Sequence, residues 1–303
     1  MGRTAFIFPG QGSQYCGMGK DFYDNFEAAR KVYLMAGEAS GLDVAGLCFT
    51  ENDRLDITEY TQIAMLATEV AILKVLEEKG VRADCAAGLS LGEYGALAAA
   101  KVMELPDLFR LIRSRGIYMQ EAYPSGGAMT AVLGLDADTV GKVCGMAEGI
   151  VSIANDNCPG QIVISGEACA VQAASAKLQE AGAKRCIPLK VSGPFHTGLL
   201  SEAGRKLAVE LENVRVCPPA IPYICNVEAC YVTDAAPVKS LLARQVSCSV
   251  RWRESMERMI ADGVDTFIEI GPGRTLAGFL KKICRDVKVV SVGKVEDLAL
   301  LGL

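Results

Sequence analysis

The sequence predicts an α/β protein with two parts, a large domain built around a parallel sheet and a small α+β domain inserted into it. Apolar runs typical of strands alternate with helical runs along most of the chain, the pattern of a parallel sheet covered by helices. Between residues 127 and 191 the order changes to β-α-β-β-α-β, the order of a ferredoxin-like unit. We therefore expect residues 1–126 and 192–303 to form the large domain and residues 127–191 the small one.

The composition is that of a globular protein that binds neither nucleic acid nor membranes. Half of the 303 residues are hydrophobic, which is enough for a sizeable core. The chain has 31 Lys and Arg residues against 36 Asp and Glu, with no basic block and few aromatic residues to stack on bases. No apolar run has the length of a membrane span or a signal peptide, so we expect a cytoplasmic protein.

The twelve cysteines are predicted to be free, buried thiols. They are scattered singly, no C-x-x-C occurs, and the chain has one histidine that could join them as a ligand. Zinc sites and disulfide frameworks show closer and more regular spacings than these. We therefore expect no metal and no disulfide.

Signals for the starts and ends of helices predict the elements of residues 1–126. Asp56, with Glu59 three residues later, forms a capping-box pattern, and Pro106 fits the first turn of a helix. A glycine follows two of the helices, as is common at helix ends. In order, the stretch is predicted to contain a strand at 4–8, a helix at 21–40 before Gly41, a helix at 58–79 before Gly80, and a helix at about 105–122.

Beyond Gly126 and Gly127 the elements become shorter, and after residue 192 the longer alternation resumes. The small domain is predicted to contain strands at 128–135, 150–154, 161–165 and 184–191, with helices at about 137–148 and 167–181. The last stretch is predicted to contain a helix after His196, helices near 251–262 and at 274–284, and strands near 222–226 and at 266–270 and 287–292. This alternation continues the large domain.

The pentapeptide Gly88-Leu89-Ser90-Leu91-Gly92 fits G-x-S-x-G at a junction between a strand and a helix. The apolar run 85–87 leads into it, and a helix-forming run at 93–102 follows. In a nucleophile elbow small residues flank the serine, so that a strained turn can lift its Oγ into an open site. The pattern indicates an α/β-hydrolase-like large domain and acyl chemistry at Ser90, although two glycines around a surface serine also occur by chance.

A second glycine-rich stretch, Pro9-Gly10-Gln11-Gly12-Ser13-Gln14, does not fit a nucleotide-binding loop. A Walker motif that ended at Gly19-Lys20 would need Gly in place of Gln14 and Ser or Thr in place of Asp21. A dinucleotide fingerprint that began at Gly10 fails at Tyr15. The sequence therefore predicts no nucleotide site here.

His196 is the only histidine of the chain, and a nucleophilic serine at neutral pH needs a base. It follows Gly193 and Pro194, on a loop from which a side chain can reach across a cleft. A lone histidine is more often structural, but beside an elbow serine the base is the favoured interpretation. The chain continues for more than a hundred residues past His196, so the order of a standard serine hydrolase fits poorly.

Five motifs follow one another along the chain: Phe8–Gln14, Gly88–Tyr94, Gly193–Thr197, Gln245 with Val250-Arg251-Trp252, and Gly271-Pro272-Gly273. Together they resemble the signatures of malonyl-CoA:acyl carrier protein transacylases, from residue 4 to about residue 292. The resemblance implies a ping-pong transfer in fatty acid synthesis, in which Ser90 takes malonyl from coenzyme A and passes it to the phosphopantetheine thiol of acyl carrier protein. We expect a monomer that needs no cofactor.

The resemblance also implies roles for five residues. Ser90 matches the nucleophile and His196 the general base. Gln245 matches the residue whose backbone carbonyl, rather than a carboxylate, orients the imidazole. The oxyanion hole is expected from the backbone amides of Leu91, at the start of a helix, and of Gln11.

Arg115 matches the family residue that holds the malonyl carboxylate, and the helical pattern agrees. On a helical wheel Arg115 lies within about 60° of Ile112, inside an apolar stripe, whereas Arg110 lies on the opposite face. The other members of the stripe are Leu105, Leu108, Phe109 and Met119. A charge on a core-facing stripe needs an anion, although a structural ion pair or a side chain that extends to water remains an alternative.

Two further residues are expected to line the site, and one residue departs from the family pattern. Gln62 is polar on a helix otherwise rich in apolar residues, and its family counterpart lines the active site. Phe195, directly before His196, resembles the residue that malonyl-selective members have at this position, rather than that of methylmalonyl-selective members. Many members have histidine where this chain has Leu89, which changes local hydrogen bonding but not the expected base.

Alternatives of different classes remain open at this point. A serine thioesterase or hydrolase would use the same elbow, but Arg115 and the missing acid argue against it. A non-catalytic module that binds carrier proteins is disfavoured by the intact Ser90 and His196. A free-standing acyltransferase of a polyketide pathway is equally compatible with the motifs.

Overall fold

A six-stranded sheet lies at the centre of the larger part of the computed structural model, which describes residues 2–191 and 193–303. Met1 and Ser192, with which the two stretches of the predicted large domain begin, lie outside the described residues. All neighbouring strands are parallel except β7 and β8, so the predicted mixed α/β fold with a parallel-rich sheet is confirmed. In order across the sheet, the strands are β10 (Lys288–Val292), β9 (Val264–Ile270), β1 (Arg3–Phe8), β2 (Cys85–Gly88), β7 (Tyr223–Ile224) and β8 (Tyr231–Val232).

Helices cover both faces of this sheet. Alternate residues of β1 point to opposite sides: Phe8 joins the hydrophobic cluster that includes helix α4, and Ile7 joins the cluster that includes Trp252. The helices are α1 (Lys20–Asn25), α2 (Glu27–Ser40), α3 (Val44–Phe49), α4 (Thr58–Glu78), α5 (Gly92–Ala99), α6 (Leu105–Ala122), α7 (Ala137–Gly145), α8 (Ala168–Glu180), α9 (Ser201–Glu212), α10 (Val238–Gln245), α11 (Trp252–Ala261) and α12 (Thr275–Ile283), with 3-10 turns at Gly198–Leu200 and Val295–Leu301.

A second sheet of four antiparallel strands lies between α6 and α9 in the chain. Its order is β4-β5-β3-β6, and α7 and α8 pack on it through an apolar cluster that includes Val140, Ile164 and Leu178. The six elements follow one another in the predicted order, although β4 is longer and β6 shorter than expected. The strands are β3 (Gly127–Leu133), β4 (Val151–Cys158), β5 (Gln161–Glu167) and β6 (Arg185–Pro188).

β4 joins this sheet to the larger part of the molecule. The Asp156 amide donates a hydrogen bond to the Val250 carbonyl at 3.0 Å, and the Val250 amide donates to the Ala154 carbonyl at 2.8 Å. The Asp156 carboxylate also pairs with Arg253 at 2.9 Å. These contacts hold the second sheet over the carboxyl ends of β1 and β2, where the loops that carry Gln11 and Ser90 meet.

The predicted helix at 21–40 is wrong as a single element, because Phe26 divides it into α1 and α2. Phe26 has an extended backbone, with φ −127° and ψ 129°, and its amide donates to the Phe22 carbonyl at 2.9 Å. The two phenyl rings lie 5.8 Å apart. The sequence has neither glycine nor proline at this place to mark the break.

The predicted cap at Asp56 is also wrong. Ile57, without a capping side chain, precedes α4, while the Asp56 carboxylate accepts a hydrogen bond from the Gln14 side chain at 2.8 Å. The short elements α3, α10 and β8 were not predicted, because elements of six, eight and two residues show too little periodicity. Asp43 does cap α3, accepting from the Gly46 amide at 2.8 Å, a signal that the sequence offers.

All twelve cysteines lie within the described residues, and each is a free thiol, as predicted. The prediction that they are buried is confirmed for five of them and wrong for the other seven, of which five are partly buried and two, Cys16 and Cys169, are exposed. Among the described residues no helix combines the length and the apolar character that crossing a membrane requires.

Candidate active site

Ser90 lies on a strained turn between β2 and α5. Its backbone has φ 57°, a left-handed conformation that non-glycine residues rarely adopt. A Cβ at Gly88 would collide with the Gly92 backbone, and a Cβ at Gly92 would collide with the Phe8 carbonyl. Both glycines are therefore needed for the turn that presents the Ser90 side chain to the cleft.

His196 faces Ser90 from the loop before α9. Its Nε2 lies 2.8 Å from Ser90 Oγ, and its Nδ1 lies 3.0 Å from the Gln245 carbonyl oxygen and 3.1 Å from that of Cys248. Because Nδ1 faces only acceptors, it carries the proton and leaves Nε2 free to accept from the serine hydroxyl. The predicted partner, the Gln245 carbonyl, is in place, and the Cys248 carbonyl is a second one that the sequence did not indicate.

The surroundings of His196 favour the neutral imidazole. Burial and then the positive charge of Arg115 lower its pKa to about 4, although the two carbonyl hydrogen bonds raise it. The side chain is only 4% exposed. At neutral pH His196 is therefore unprotonated at Nε2 and can accept a proton from Ser90.

Gln11 and Leu91 both line the cleft beside Ser90. Within the described residues neither backbone amide donates a hydrogen bond. The loop that carries Gln11 lies directly on the elbow, since a Cβ at Gly10 would lie only 2.8 Å from the Leu89 carbonyl oxygen. Two unpaired amides next to a nucleophile can bind a negatively charged oxygen.

Arg115 projects from α6 towards Ser90 and is 1% exposed. Its guanidinium donates to the Gln62 side chain at 2.6 Å, to the Gln245 side chain at 2.9 Å and to Ser90 Oγ at 3.2 Å. Among the described residues no carboxylate lies within ion-pair distance, so the guanidinium is neither in a structural ion pair nor extended into water. A buried guanidinium beside the reacting oxygen is suited to bind an anionic substrate group.

The remaining predicted residues also come together here. Gln62 borders the cleft, where its carbonyl oxygen accepts from Arg115 and its amide lies 3.4 Å from the Met119 sulfur. Phe195 is 6% exposed and forms part of the wall next to His196. Leu89 is partly buried behind the Gln11 loop. Arg110 is exposed on the opposite face of α6 and pairs with Asp107.

Two residues that the sequence analysis did not single out complete the site. Glu93 is 1% exposed, and its Oε2 accepts from the Gln245 side chain at 2.8 Å and from the Asn226 amide at 3.2 Å. Asn226 accepts from the Ser90 amide at 2.7 Å and donates to the Gly88 carbonyl at 2.6 Å. Glu93 carried a signal, a carboxylate in an apolar helical run directly after the elbow, whereas Asn226 carried none.

Burial controls the charge of Glu93. It raises the pKa of this carboxyl to about 7, although hydrogen bonds from Gln245 and Asn226 and the charge of Arg115 lower it. Glu93 is thus poised between its charged and neutral forms near neutral pH.

The cleft opens to solvent, and its enclosed part has a volume of about 190 Å³. The larger part of the molecule and the four-stranded sheet both contribute to its walls. Leu276 and Phe279 come from α12 on one side, and Met129, Asn155 and Val191 come from the second sheet and its flanking loop on the other. Ser90 lines the same cleft, so an acyl group bound there would lie among mostly apolar side chains.

Comparison with known proteins agrees with this geometry. A family profile described as "Acyl transferase domain" matches residues 5–302. The malonyl CoA-acyl carrier protein transacylase of Bacillus subtilis is 44% identical over 99% of this chain and 96% of its own length. The crystal structure of MCAT from Streptococcus pneumoniae is 46% identical, covers 99% of both chains and superposes with a TM-score of 0.95.

A third similar protein was solved together with a partner. It is a malonyl-transacylase in complex with a type II PKS acyl-carrier protein, 39% identical over 98% of both chains, with a TM-score of 0.95. The resemblance indicated by the five motifs is therefore confirmed along nearly the whole sequence. This chain belongs to the acyl transferase family.

Proposed function

We propose that this protein transfers the malonyl group from malonyl-CoA to the phosphopantetheine thiol of acyl carrier protein, through a malonyl ester on Ser90. The observation that carries the proposal is the buried guanidinium of Arg115, 3.2 Å from Ser90 Oγ and without a carboxylate partner among the described residues. Such a group matches an acyl chain that ends in a carboxylate. The names of the similar proteins support the same donor and acceptor.

The first half-reaction forms the ester. His196 Nε2 takes the proton from Ser90 Oγ as the oxygen attacks the thioester carbonyl. The amides of Gln11 and Leu91 stabilise the oxyanion of the tetrahedral intermediate. When the intermediate collapses, the carbon–sulfur bond breaks, and the sulfur of coenzyme A leaves as the thiol with the proton held on Nε2.

The second half-reaction runs the same steps in reverse with another thiol. The phosphopantetheine thiol gives its proton to His196 Nε2, its sulfur attacks the ester carbonyl, and Ser90 Oγ leaves and regains the proton. Across the whole cycle the thioester to coenzyme A is broken and a thioester to the carrier protein is formed. No atom changes its oxidation state, so no redox group is needed. Carbonyl partners stabilise imidazolium less than a carboxylate does, which suits a reaction with a good thiol leaving group.

We propose that Arg115 and Phe195 select the acyl group. The malonyl carboxylate would accept hydrogen bonds from Arg115, while Gln62 and Gln245 hold the guanidinium from behind. Phe195, which forms part of the cleft wall beside His196, would exclude the extra methyl group of a methylmalonyl chain.

We further propose that residues 1–126 and 192–303 form an α/β-hydrolase-like domain, and that residues 127–191 form a ferredoxin-like subdomain inserted into it. The strand order β4-β5-β3-β6 with two helices supports the latter. We propose that the protein is a monomer. We also propose that it needs no metal or cofactor, because the cleft and its surroundings supply the base (His196), the oxyanion site (Gln11 and Leu91) and the carboxylate site (Arg115). We propose a cytoplasmic location, because the twelve cysteines are free thiols and thiols stay reduced in the cytoplasm.

A role in polyketide synthesis is the second candidate. The observation that favours it is the similar malonyl-transacylase solved with a type II PKS acyl-carrier protein. The chemistry at Ser90 is the same in both pathways, and the carrier protein decides between them. Rates with each carrier protein of the host would distinguish the two.

The decisive experiment compares transfer with hydrolysis. We expect malonyl-CoA and a carrier protein bearing phosphopantetheine to give malonyl-carrier protein, measured by its mass, much faster than free malonate appears. A carrier protein that lacks phosphopantetheine is the control and should remain unmodified. Free malonate as the main product would instead identify a thioesterase.

The burial of His196 leads to a prediction about pH. Between pH 6.5 and pH 5 the rate of Ser90 acylation should change less than about twofold, because an imidazole with a pKa of about 4 remains neutral. An ordinary imidazole, with a pKa of about 6.5, would lose more than about tenfold over the same interval. Single-turnover acylation by malonyl-CoA measures this rate, and the same series in Glu93→Gln removes the contribution of the Glu93 carboxyl, whose pKa is about 7.

The fold must be checked along this pH series. Below pH 6.5 the unfolded chain binds a proton that buried His196 does not take up, so the free energy of unfolding falls as the pH falls from 6.5 towards 4. Circular dichroism at each pH separates that loss from a change in chemistry. A tenfold decrease in rate between pH 6.5 and 5 in folded protein would show that His196 titrates as an exposed imidazole.

A further inference from the structure

Gln245 contacts both the base and the acyl-group site. Its backbone carbonyl lies 3.0 Å from His196 Nδ1, and its side-chain oxygen accepts from Arg115 at 2.9 Å. Gln245 itself is fully buried. A shift of this one residue would therefore displace the imidazole and the guanidinium together.

The direction of the Gln245 side-chain amide follows from its neighbours. Its oxygen faces a guanidinium, which only donates, and its nitrogen donates to the Ser90 carbonyl at 2.8 Å and to Glu93 Oε2 at 2.8 Å. The reversed amide would place donor against donor and acceptor against acceptor. The Arg115 guanidinium, the Ser90 carbonyl and the Glu93 carboxylate together select the orientation in which Gln245 offers its oxygen to Arg115.

Asn226 bonds the same carboxylate oxygen of Glu93 as Gln245 does. Its amide donates to Glu93 Oε2 at 3.2 Å, and its side chain bonds the Ser90 amide and the Gly88 carbonyl. Glu93 lies in the first turn of α5, directly after the elbow. The carboxylate therefore connects the nucleophile turn to Gln245, and through it to Arg115.

We propose that Glu93 is a positioning residue for acyl-group selection: it fixes the Gln245 side chain, which in turn holds Arg115 in place for the malonyl carboxylate. This inference rests on the proposed malonyl transfer. A hydrogen bond from Gln245 to a carboxylate also polarises the amide and makes its oxygen a stronger acceptor for the guanidinium. Glu93 touches neither the substrate nor the reacting atoms, so its effect passes through Gln245.

The test compares malonyl with acetyl transfer in three variants of Glu93. Glu93→Met keeps the length and helix propensity but removes the acceptor, and we expect the malonyl-to-acetyl ratio of kcat/KM to fall at least about tenfold. Glu93→Gln keeps one acceptor oxygen for both donors, and we expect the ratio to stay within about threefold of wild type. Glu93→Asp withdraws the carboxylate by one methylene and should give an intermediate loss.

Glu69 offers a matched control. It is another fully buried glutamate, on α4, whose carboxylate has no hydrogen-bond partner among the described residues. Glu69→Met removes a buried carboxylate outside the network and should leave the acyl-group ratio unchanged. A purely structural loss would lower both activities together in either variant.

The outcomes are distinct. An unchanged ratio in folded Glu93→Met, or an equal loss in Glu93→Met and Glu93→Gln, overturns the role of Glu93. If Glu93→Met does not fold, Glu93→Asp decides, because an unchanged ratio there overturns the proposal and a reduced ratio supports it. Absence of malonyl transfer in the wild type would instead contradict the proposed function, before any variant is compared.

Discussion

Incubation with malonyl-CoA should add one malonyl group to this protein, and Ser90→Ala should abolish that adduct. The turn at φ 57° presents Ser90 Oγ to the cleft, 2.8 Å from a neutral imidazole, and alanine has no nucleophilic atom at this place. Transfer to the carrier protein should fall to the level of the uncatalysed reaction. Intact-protein mass spectrometry measures the adduct, and peptide mapping locates it.

Two controls sharpen this result. Ser13 also borders the cleft but lies outside the elbow, so Ser13→Ala should retain the adduct. Neutral hydroxylamine cleaves thioesters much faster than oxygen esters, so an adduct on serine should survive a treatment that removes one from a cysteine. An adduct that persists in Ser90→Ala, or that maps to one of the twelve cysteines, would falsify the assignment.

Arg115→Ala should reduce malonyl transfer by roughly 10² to 10³ and spare or improve acetyl transfer. Truncation leaves the malonyl carboxylate buried without its partner, at a cost of about 3 to 5 kcal/mol, which slows the reaction by this factor or more. An acetyl group has no carboxylate to leave unpaired. The measurement is the ratio of kcat/KM for malonyl-CoA to that for acetyl-CoA in wild type and variant.

Two more substitutions test whether the loss is specific. Arg115→Lys should recover only part of the activity, since an ammonium group cannot reproduce the planar guanidinium. Arg113, on the same helix, pairs with Glu59 at 2.8 Å, and Arg113→Ala should leave the ratio unchanged. Thermal melting checks the fold of each variant. An equal decrease of both activities in folded Arg115→Ala would mean that Arg115 supports the site without reading the substrate.

Local signals in the sequence were enough to locate most of the site. The G-x-S-x-G turn depends on contacts among residues 88–92 and on the strand and helix beside them, so its sequence indicates its structure. The single histidine left one choice of imidazole base. Arg115 was found because its place on the apolar stripe of α6 is a property of helical periodicity.

Local signals failed at the starts of two helices. The sequence around Phe26 predicts one helix, yet the extended backbone of Phe26 divides it into α1 and α2. Asp56 has the spacing of a helix cap, but Gln14, distant in sequence, takes its carboxylate. Capping and propensity contribute about 1 kcal/mol each, so a tertiary contact of similar size can reverse them.

The sequence by itself determined the alternation of strands and helices, the elbow at Ser90, the imidazole and the buried arginine, because each depends on residues close together in the chain or on the family motifs. Only the tertiary structure decided how these groups are held. Glu93 bonds the Gln245 side chain across 152 positions and the Asn226 amide across 133. No periodicity or spacing encodes such contacts, since they form only when α5, α10 and the loop after β7 pack together around the buried carboxylate.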